Sequence, residues 1–225
     1  MLRAVLIGTI CAACAWTADP SLETTLAKMD QASAKFAGLT ADLRRVAHTA
    51  VINEDSVDSG TVTMKRPRPR DIRMLYDTKL PDPKQYAFDG RKGEIYLPKV
   101  QTVQEYDLGK YRGLLDQFLL LGFGSSSKEL ENAYTITYGG AETIGGERTT
   151  RLELIPKSQE MLAHLKRVDL WIADTTGVPV QQKFYMPGGD YQLATYSNTK
   201  INPTIPDSAV KLNLPKGVKR EYPGK

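Results

Sequence analysis

Residues 60–107 read GTVTMKRPRPRDIRMLYDTKLPDPKQYAFDGRKGEIYLPKVQTVQEYD, and this stretch decides the fold. Short runs of strand-forming residues alternate in it with turn signals, the pattern of consecutive antiparallel strands. Gly60, Val62 and Met64 share one phase of a period-2 alternation, and Thr61, Thr63 and Lys65 share the other. Ile72, Met74 and Tyr76 repeat the pattern opposite Asp71 and Arg73, and Ile95 and Leu97 follow a turn at Asp89, Gly90 and Arg91. Pro67 and Pro69 cannot donate to a ladder, which places them at a strand end or bend. A sheet with one apolar and one polar face must cover the apolar one. What covers it decides the function.

Upstream, Leu22, Leu26, Met29 and Phe36 recur at helical spacing, with Ala32 nearby. Asp19-Pro20 reads as an N-cap with proline at the first helical position, and Gly38 as the stop, predicting one amphipathic helix of about four turns. From Leu39 the period becomes 2. Leu39, Ala41, Leu43, Ala47 and Val51 fall on one face, and Arg45 breaks the phase. Residues 53–59 read as a polar turn, with the next strand starting at Gly60.

Downstream, Leu114, Leu115, Phe118 and Leu119 fall at helical spacing, and Leu120, Leu121 and Phe123 add apolar surface. Gly122, Gly124 and residues 125–127 form a flexible break, after which Ser127 is placed to cap a short helix through Leu130. An apolar helix inserted between strands is either a core helix or a movable lid, and the residue pattern leaves both open. Strands return over 134–138 and 149–155, at Val168, Leu170 and Ile172, and over 181–186 and 191–197. A short helix is expected within 158–165, and a last strand with Val210 and Leu212. The fold class predicted is α+β: a strongly curved antiparallel sheet with helices from two places in the chain on its apolar face.

The N-terminus reads as an export signal. Arg3 supplies a positive n-region, and residues 4–15 are apolar but too short to span a membrane. Ala13-Cys14-Ala15 offers a small-x-small cleavage site, so residues 1–15 are expected to be removed and 16–225 to form a single ligand-binding domain. Cys14 is also a candidate for lipidation, which would anchor the protein to a membrane. Both cysteines, Cys11 and Cys14, lie in this segment, so the body has no thiol chemistry. A formal charge of +4, interspersed along the chain, argues against nucleic acid as the partner.

Catalytic signals are few. His48 and His164 lack metal-site spacing, no G-x-S-x-G elbow occurs, and GFGSSS at 122–127 lacks a Gly-Lys-Ser/Thr ending. No catalytic residue, metal or cofactor is predicted. The concave face, carrying Leu43, Val62, Met64, Met74, Tyr76 and Leu97, can hold an aliphatic ligand, or the helices can simply fill the core.

Several segments together resemble the outer-membrane lipoprotein carrier family, the LolA-type periplasmic chaperones. The helix over residues 22–36 is similar to the family's first helix. Met64-Lys65-Arg66-Pro67 followed by residues 72–76 resembles its Lys-Arg-Pro strand end and aromatic-rich strand. Asp89-Gly90-Arg91-Lys92, Tyr96-Leu97-Pro98 and Gln101-Thr102-Val103 resemble its Asp-Gly-Lys turn and the strand after it. Leu154-Ile155-Pro156-Lys157 and Pro215-Lys216-Gly217-Val218 resemble two later motifs, in the same order. The resemblance implies an unclosed β-barrel with helices as a lid over a hydrophobic cavity. It also implies a periplasmic monomer without enzymatic activity. Such a protein takes lipoproteins from an inner-membrane ABC-type release complex and delivers their acyl chains to an outer-membrane acceptor. On it, Leu114, Leu115, Phe118 and Leu119 become the lid and ligand contacts, and Arg66 the residue that locks the lid. The Thr-Pro that commonly precedes the lid is missing here. A lipid-sensing domain on the same barrel, and an exported hydrolase with an unrecognised site, are the alternative readings.

Overall fold

A computed structural model describes residues 22–68, 71–109 and 121–223. The export signal, Asp19-Pro20, Cys14 and the segment with Leu114, Leu115, Phe118 and Leu119 lie outside the described residues. Helix α1 (Leu22–Lys35) is followed by β1 (Gly38–Thr49), β2 (Glu54–Arg68), β3 (Asp71–Leu80), β4 (Lys84–Asp89), β5 (Lys92–Leu97) and β6 (Thr102–Asp107). After the short helix α2 (Ser127–Ala133) come β7 (Tyr134–Ile144), β8 (Glu147–Pro156), helix α3 (Gln159–Leu162), β9 (Arg167–Ala173), β10 (Pro179–Tyr185), β11 (Tyr191–Ile201) and β12 (Lys219–Glu221).

The twelve strands of the described residues form one sheet, ordered β12-β6-β5-β4-β3-β2-β1-β11-β10-β9-β8-β7. It is two antiparallel meanders joined where β1 pairs with β11. The pairing of β12 with β6 is parallel. Strand β7 does not pair with β12, so the curved sheet is an open barrel with two edges.

Partners across a ladder point to the same face, so register carries the concave face around the sheet. Leu39, Ala41, Leu43 and Arg45 on β1 sit opposite Met64, Val62, Gly60 and Asp58 on β2. Met64 and Val62 in turn sit opposite Met74 and Tyr76 on β3. Toward the other edge, Leu170 on β9 faces Leu152 on β8 and Gln182 on β10. Helix α1 lies over both halves. Phe36, just past its end, joins Leu39, Leu43, Val62 and Ile72 in one apolar cluster. Leu26 and Met29 join Leu130, Leu152, Leu154, Val168 and Leu170 in the other. Each such buried side chain contributes roughly 1.5–3 kcal/mol as an upper bound.

Three expectations need correcting. Residues 54–59 are strand, not turn: β1 and β2 pair from Gly38↔Lys65 to Thr49↔Glu54. Strand β3 ends at the Ser59↔Leu80 pair, so this part of β2 runs past it as an edge strand, paired with β1 alone, while β1 continues to pair with β11 as far as His48. Its side chains are polar apart from Val57, which sits opposite Val46 and is 41% exposed. Val51 sits in the hairpin turn and is 92% exposed, and Asn53, at φ 51, makes the left-handed corner. Residues 207–210 form a 3-10 turn rather than a strand. Val210 is buried there while Asp207 pairs with Lys65 at 2.6 Å. Finally, the cap of α2 is Ser126, not Ser127. Its hydroxyl accepts from the Glu129 amide and the Glu129 carboxylate accepts from the Ser126 amide, a closed capping box.

Gly60 has a steric role beyond strand phase. A Cβ there would lie 2.0 Å from the Asp77 carbonyl oxygen and 2.7 Å from Thr78 Cα. Both are backbone atoms, so relief requires β2 and β3 to part. Gly60→Ala is expected to cost about 1–3 kcal/mol, read as a lower urea midpoint with unchanged slope.

Candidate functional site

A cavity of about 410 Å³ opens on the concave face, within the range of small-molecule sites. One wall is Leu39, Leu43, Arg45, Val62, Met64, Met74 and Tyr76 from β1–β3; the other is Gln182, Phe184, Ala194 and Tyr196 from β10 and β11. Phe123, His164, Leu165, Met186 and Gln192 also line it. Of the concave residues expected from the sequence, Leu43, Val62, Met64, Met74 and Tyr76 lie on this wall. Leu97 does not. It shares their face by register but sits on β5, three strands from β2, beyond the cavity.

Phe123 is 1% exposed. Its ring lies 6.3 Å from Phe36 and meets Tyr196 edge-on at 5.1 Å. The backbone just before it is held by Gln182, whose Nε2 donates to the Leu121 carbonyl at 2.6 Å while its Oε1 accepts from the Tyr196 hydroxyl at 2.8 Å. Burial pushes the Tyr196 hydroxyl well above the usual phenol range, so it stays a neutral donor.

Arg66 gathers three carbonyls. Nε donates to Phe36 O at 2.8 Å, Nη2 to Ser33 O at 2.7 Å and Nη1 to Gly124 O at 3.0 Å. Its guanidinium also stands 5.4 Å from the Phe36 ring centre. Burial pulls it below the ordinary arginine value, opposed by the charge of Glu129. Two acceptors are at the C-terminal end of α1, where helical oxygens lack intrahelical partners. The third lies just beyond residues 110–120. Asp30 on α1 accepts from the Ser127 amide at 2.6 Å and from its hydroxyl at 2.7 Å. Helix α1 and the start of α2 are thus tied together.

Arg45 is the charged side chain among the described residues lining the cavity. It donates to Asp58 Oδ2 through Nε at 3.0 Å and Nη2 at 2.7 Å. The Tyr76 hydroxyl donates to the other Asp58 oxygen. Tyr76 and Tyr86 stack at 5.9 Å beneath the guanidinium. Burial pushes the Tyr76 hydroxyl up, and its bond to Asp58 adds to this. For Arg45, burial acts downward, but the bonds to Asp58 and its charge outweigh it and the net shift is upward. The knot is neutral overall and its members are committed to one another.

Sequence reasoning missed Gln182, Tyr196 and the pairing of Arg45 with Asp58 as site features. Arg45 looked like a break in the alternation; in fact it keeps the phase, and Asp58 directly across the ladder accounts for it. Elsewhere, His164 lies against the cavity. His48 stacks on Tyr191 at 4.7 Å and contacts Asp55 at 2.7 Å. Among the described residues no group of three His, Cys, Asp or Glu side chains is placed to hold a metal.

No family model matches the sequence, and no curated protein does. Solved structures do. The Mycobacterium tuberculosis lipoprotein LppX superposes with a TM-score of 0.52 at 14% identity, over 83% of this chain and 99% of that one. MucB superposes with a TM-score of 0.53 at 11% identity, over 84% of this chain. The chain has the fold of these proteins. It spans 62% of the length of MucB. A LolA superfamily protein of Nitrosomonas europaea also aligns, at TM-score 0.41 and 13% identity, over 85% of this chain and 98% of that one. At such identities the likeness concerns the fold.

Proposed function

We propose that the protein is a periplasmic carrier that holds the acyl chains of lipoproteins, or of a related lipid, in its cavity. Its delivery is toward the outer membrane, from an inner-membrane ABC-type release complex to an outer-membrane acceptor. The observation that carries this reading is the 410 Å³ apolar cavity on the concave face. An acyl chain gains about 0.8 kcal/mol per buried methylene, so a long chain repays the displacement of covering side chains. We assign that covering role to Leu114, Leu115, Phe118 and Leu119, with Arg66 as the lock. The role is binding rather than catalysis, because Arg45 and Asp58, the charges at the cavity, are spent on each other.

The test fills the cavity without removing a contact. Ala194 lines it and is small and half-buried. Ala194→Phe should weaken binding of a fluorescent fatty acid at least about tenfold, the factor for ~1.4 kcal/mol, and change the melting temperature little. Native mass spectrometry with lipid extraction should find an acyl lipid in the exported wild-type protein and not in the variant. Equal affinity in both would sink the cavity assignment.

A further inference from the structure

The strands meet solvent at two ends, and the turns at those ends differ in chemistry. Turns 50–53, 81–83, 98–101 and 186–190 and the connection 157–166 lie at one end, by the registers that pair Thr49 with Glu54, Leu80 with Ser59, Leu97 with Thr102 and His48 with Tyr191. The most exposed large apolar side chains of the described chain are Val51 at 92%, Leu80 at 65%, Val100 at 65% and Ile52 at 61%. All four are at this end, on three different turns, and Val57 and Ile155 lie close behind. The opposite end carries Asp89-Gly90-Arg91, Gly145-Gly146 and residues 174–177, which are polar or glycine. Scattered exposed apolar residues need no explanation; their confinement to one end does.

We infer that this end is a membrane-docking rim: Val51, Ile52, Leu80 and Val100 insert into the interface of a phospholipid bilayer. The three turns follow one another at two-strand intervals, about 10 Å apart across the ladder, with the first hairpin reaching five residues further along the strands than the Ser59↔Leu80 pair. A protein partner would need a separate pocket for each tip, whereas a bilayer takes all of them into one apolar phase. Charge does not select the surface. Lys99 pairs with Asp82 and Lys79 with Asp77, and Glu54 and Asp55 flank the hairpin tip. Apolar insertion therefore drives the binding, and zwitterionic lipid suffices. The rim also meets the cavity: His164 and Gln192, the exposed members of its lining, are at the same end. Docking would bring the cavity's open side to the lipid surface.

Co-sedimentation of the exported protein, residues 16–225, with phosphatidylcholine vesicles tests this. Wild-type protein is expected in the pellet, with little change between low and high salt. Val51→Asp combined with Ile52→Asp should lower the partition coefficient at least about tenfold, corresponding to ~1.4 kcal/mol, and Leu80→Ser with Val100→Ser should lower it too. These side chains are largely in water, so thermal unfolding should stay at the wild-type temperature. Tyr222→Ser, an exposed aromatic away from this end, should leave partitioning unchanged. Ala194→Phe should sediment like wild type, which separates docking from acyl binding. Wild-type protein that stays in the supernatant, rim variants that pellet as well as wild type, or binding seen only with anionic vesicles and lost in salt would each overturn the proposal.

Discussion

Truncating Phe123 to alanine is expected to lower the stability of the fold by about 3–5 kcal/mol, the usual range for a fully buried aromatic. The ring is 1% exposed and bridges Phe36, at the end of α1, to Tyr196 on β11. Its loss removes contacts on both sides, and the barrel ladders hold the surrounding strands, so collapse into the gap is limited. Chemical denaturation measures the effect. There is a second readout, because Phe123 also lines the cavity. An acyl ligand that fills the new space binds the folded state alone and restores stability with rising concentration. Destabilisation with ligand rescue is the expected pair of results. A loss below about 1 kcal/mol would mean that Phe123 is not the packed bridge described here.

The curved antiparallel sheet was legible in the sequence because its central strands alternate so regularly; that it stays open as a barrel was implied only by the family resemblance. Val62 and Met64, then Met74 and Tyr76, are the residues that register places on one face. That regularity exists because one face is buried and the other wet. Legibility failed where this condition failed. The edge part of β2, residues 54–57, is exposed throughout and so has no alternation to read. Val210 is buried in a 3-10 turn, and an isolated buried valine looks the same in a turn as in a strand. At the site, single-strand patterns could not find pairs that exist only across a ladder. Asp58 sits in a polar run with nothing to mark it until β1 brings Arg45 opposite. Gln182 became meaningful only with Leu121 at one end of its amide and Tyr196 at the other. Arg66 was singled out by the resemblance of its Lys-Arg-Pro motif. Its acceptors, at the end of α1 and at Gly124, come together only in the fold.

On the proposed function, replacing Arg66 with leucine is expected to trap the protein in its loaded form. In the arrangement seen here, one guanidinium serves oxygens of Ser33, Phe36 and Gly124. If ligand entry displaces the covering segment, the bond to Gly124 breaks first, since that residue lies next to the segment that must move. The loaded state then holds a half-buried cation with a missing acceptor, a penalty that helps expel the ligand. A hydrogen bond to a charged group is worth about 1.5–3 kcal/mol, so its removal shifts the loaded-to-empty balance by about tenfold or more. Leucine removes the penalty and adds apolar surface to the concave side. The variant should therefore take up acyl chains at least as well as wild type, with release to acceptor vesicles slowed about tenfold. Loaded protein should accumulate, and the ligand-free variant should melt at a lower temperature because the Phe36 and Gly124 oxygens lose their donor. Arg66→Lys should fall between the two, since one ammonium cannot reproduce the planar fork that reaches three oxygens. The decisive measurement is the single-turnover rate of transfer of a fluorescent acyl lipid from preloaded protein to vesicles. Transfer by Arg66→Leu at the wild-type rate would falsify the locking role.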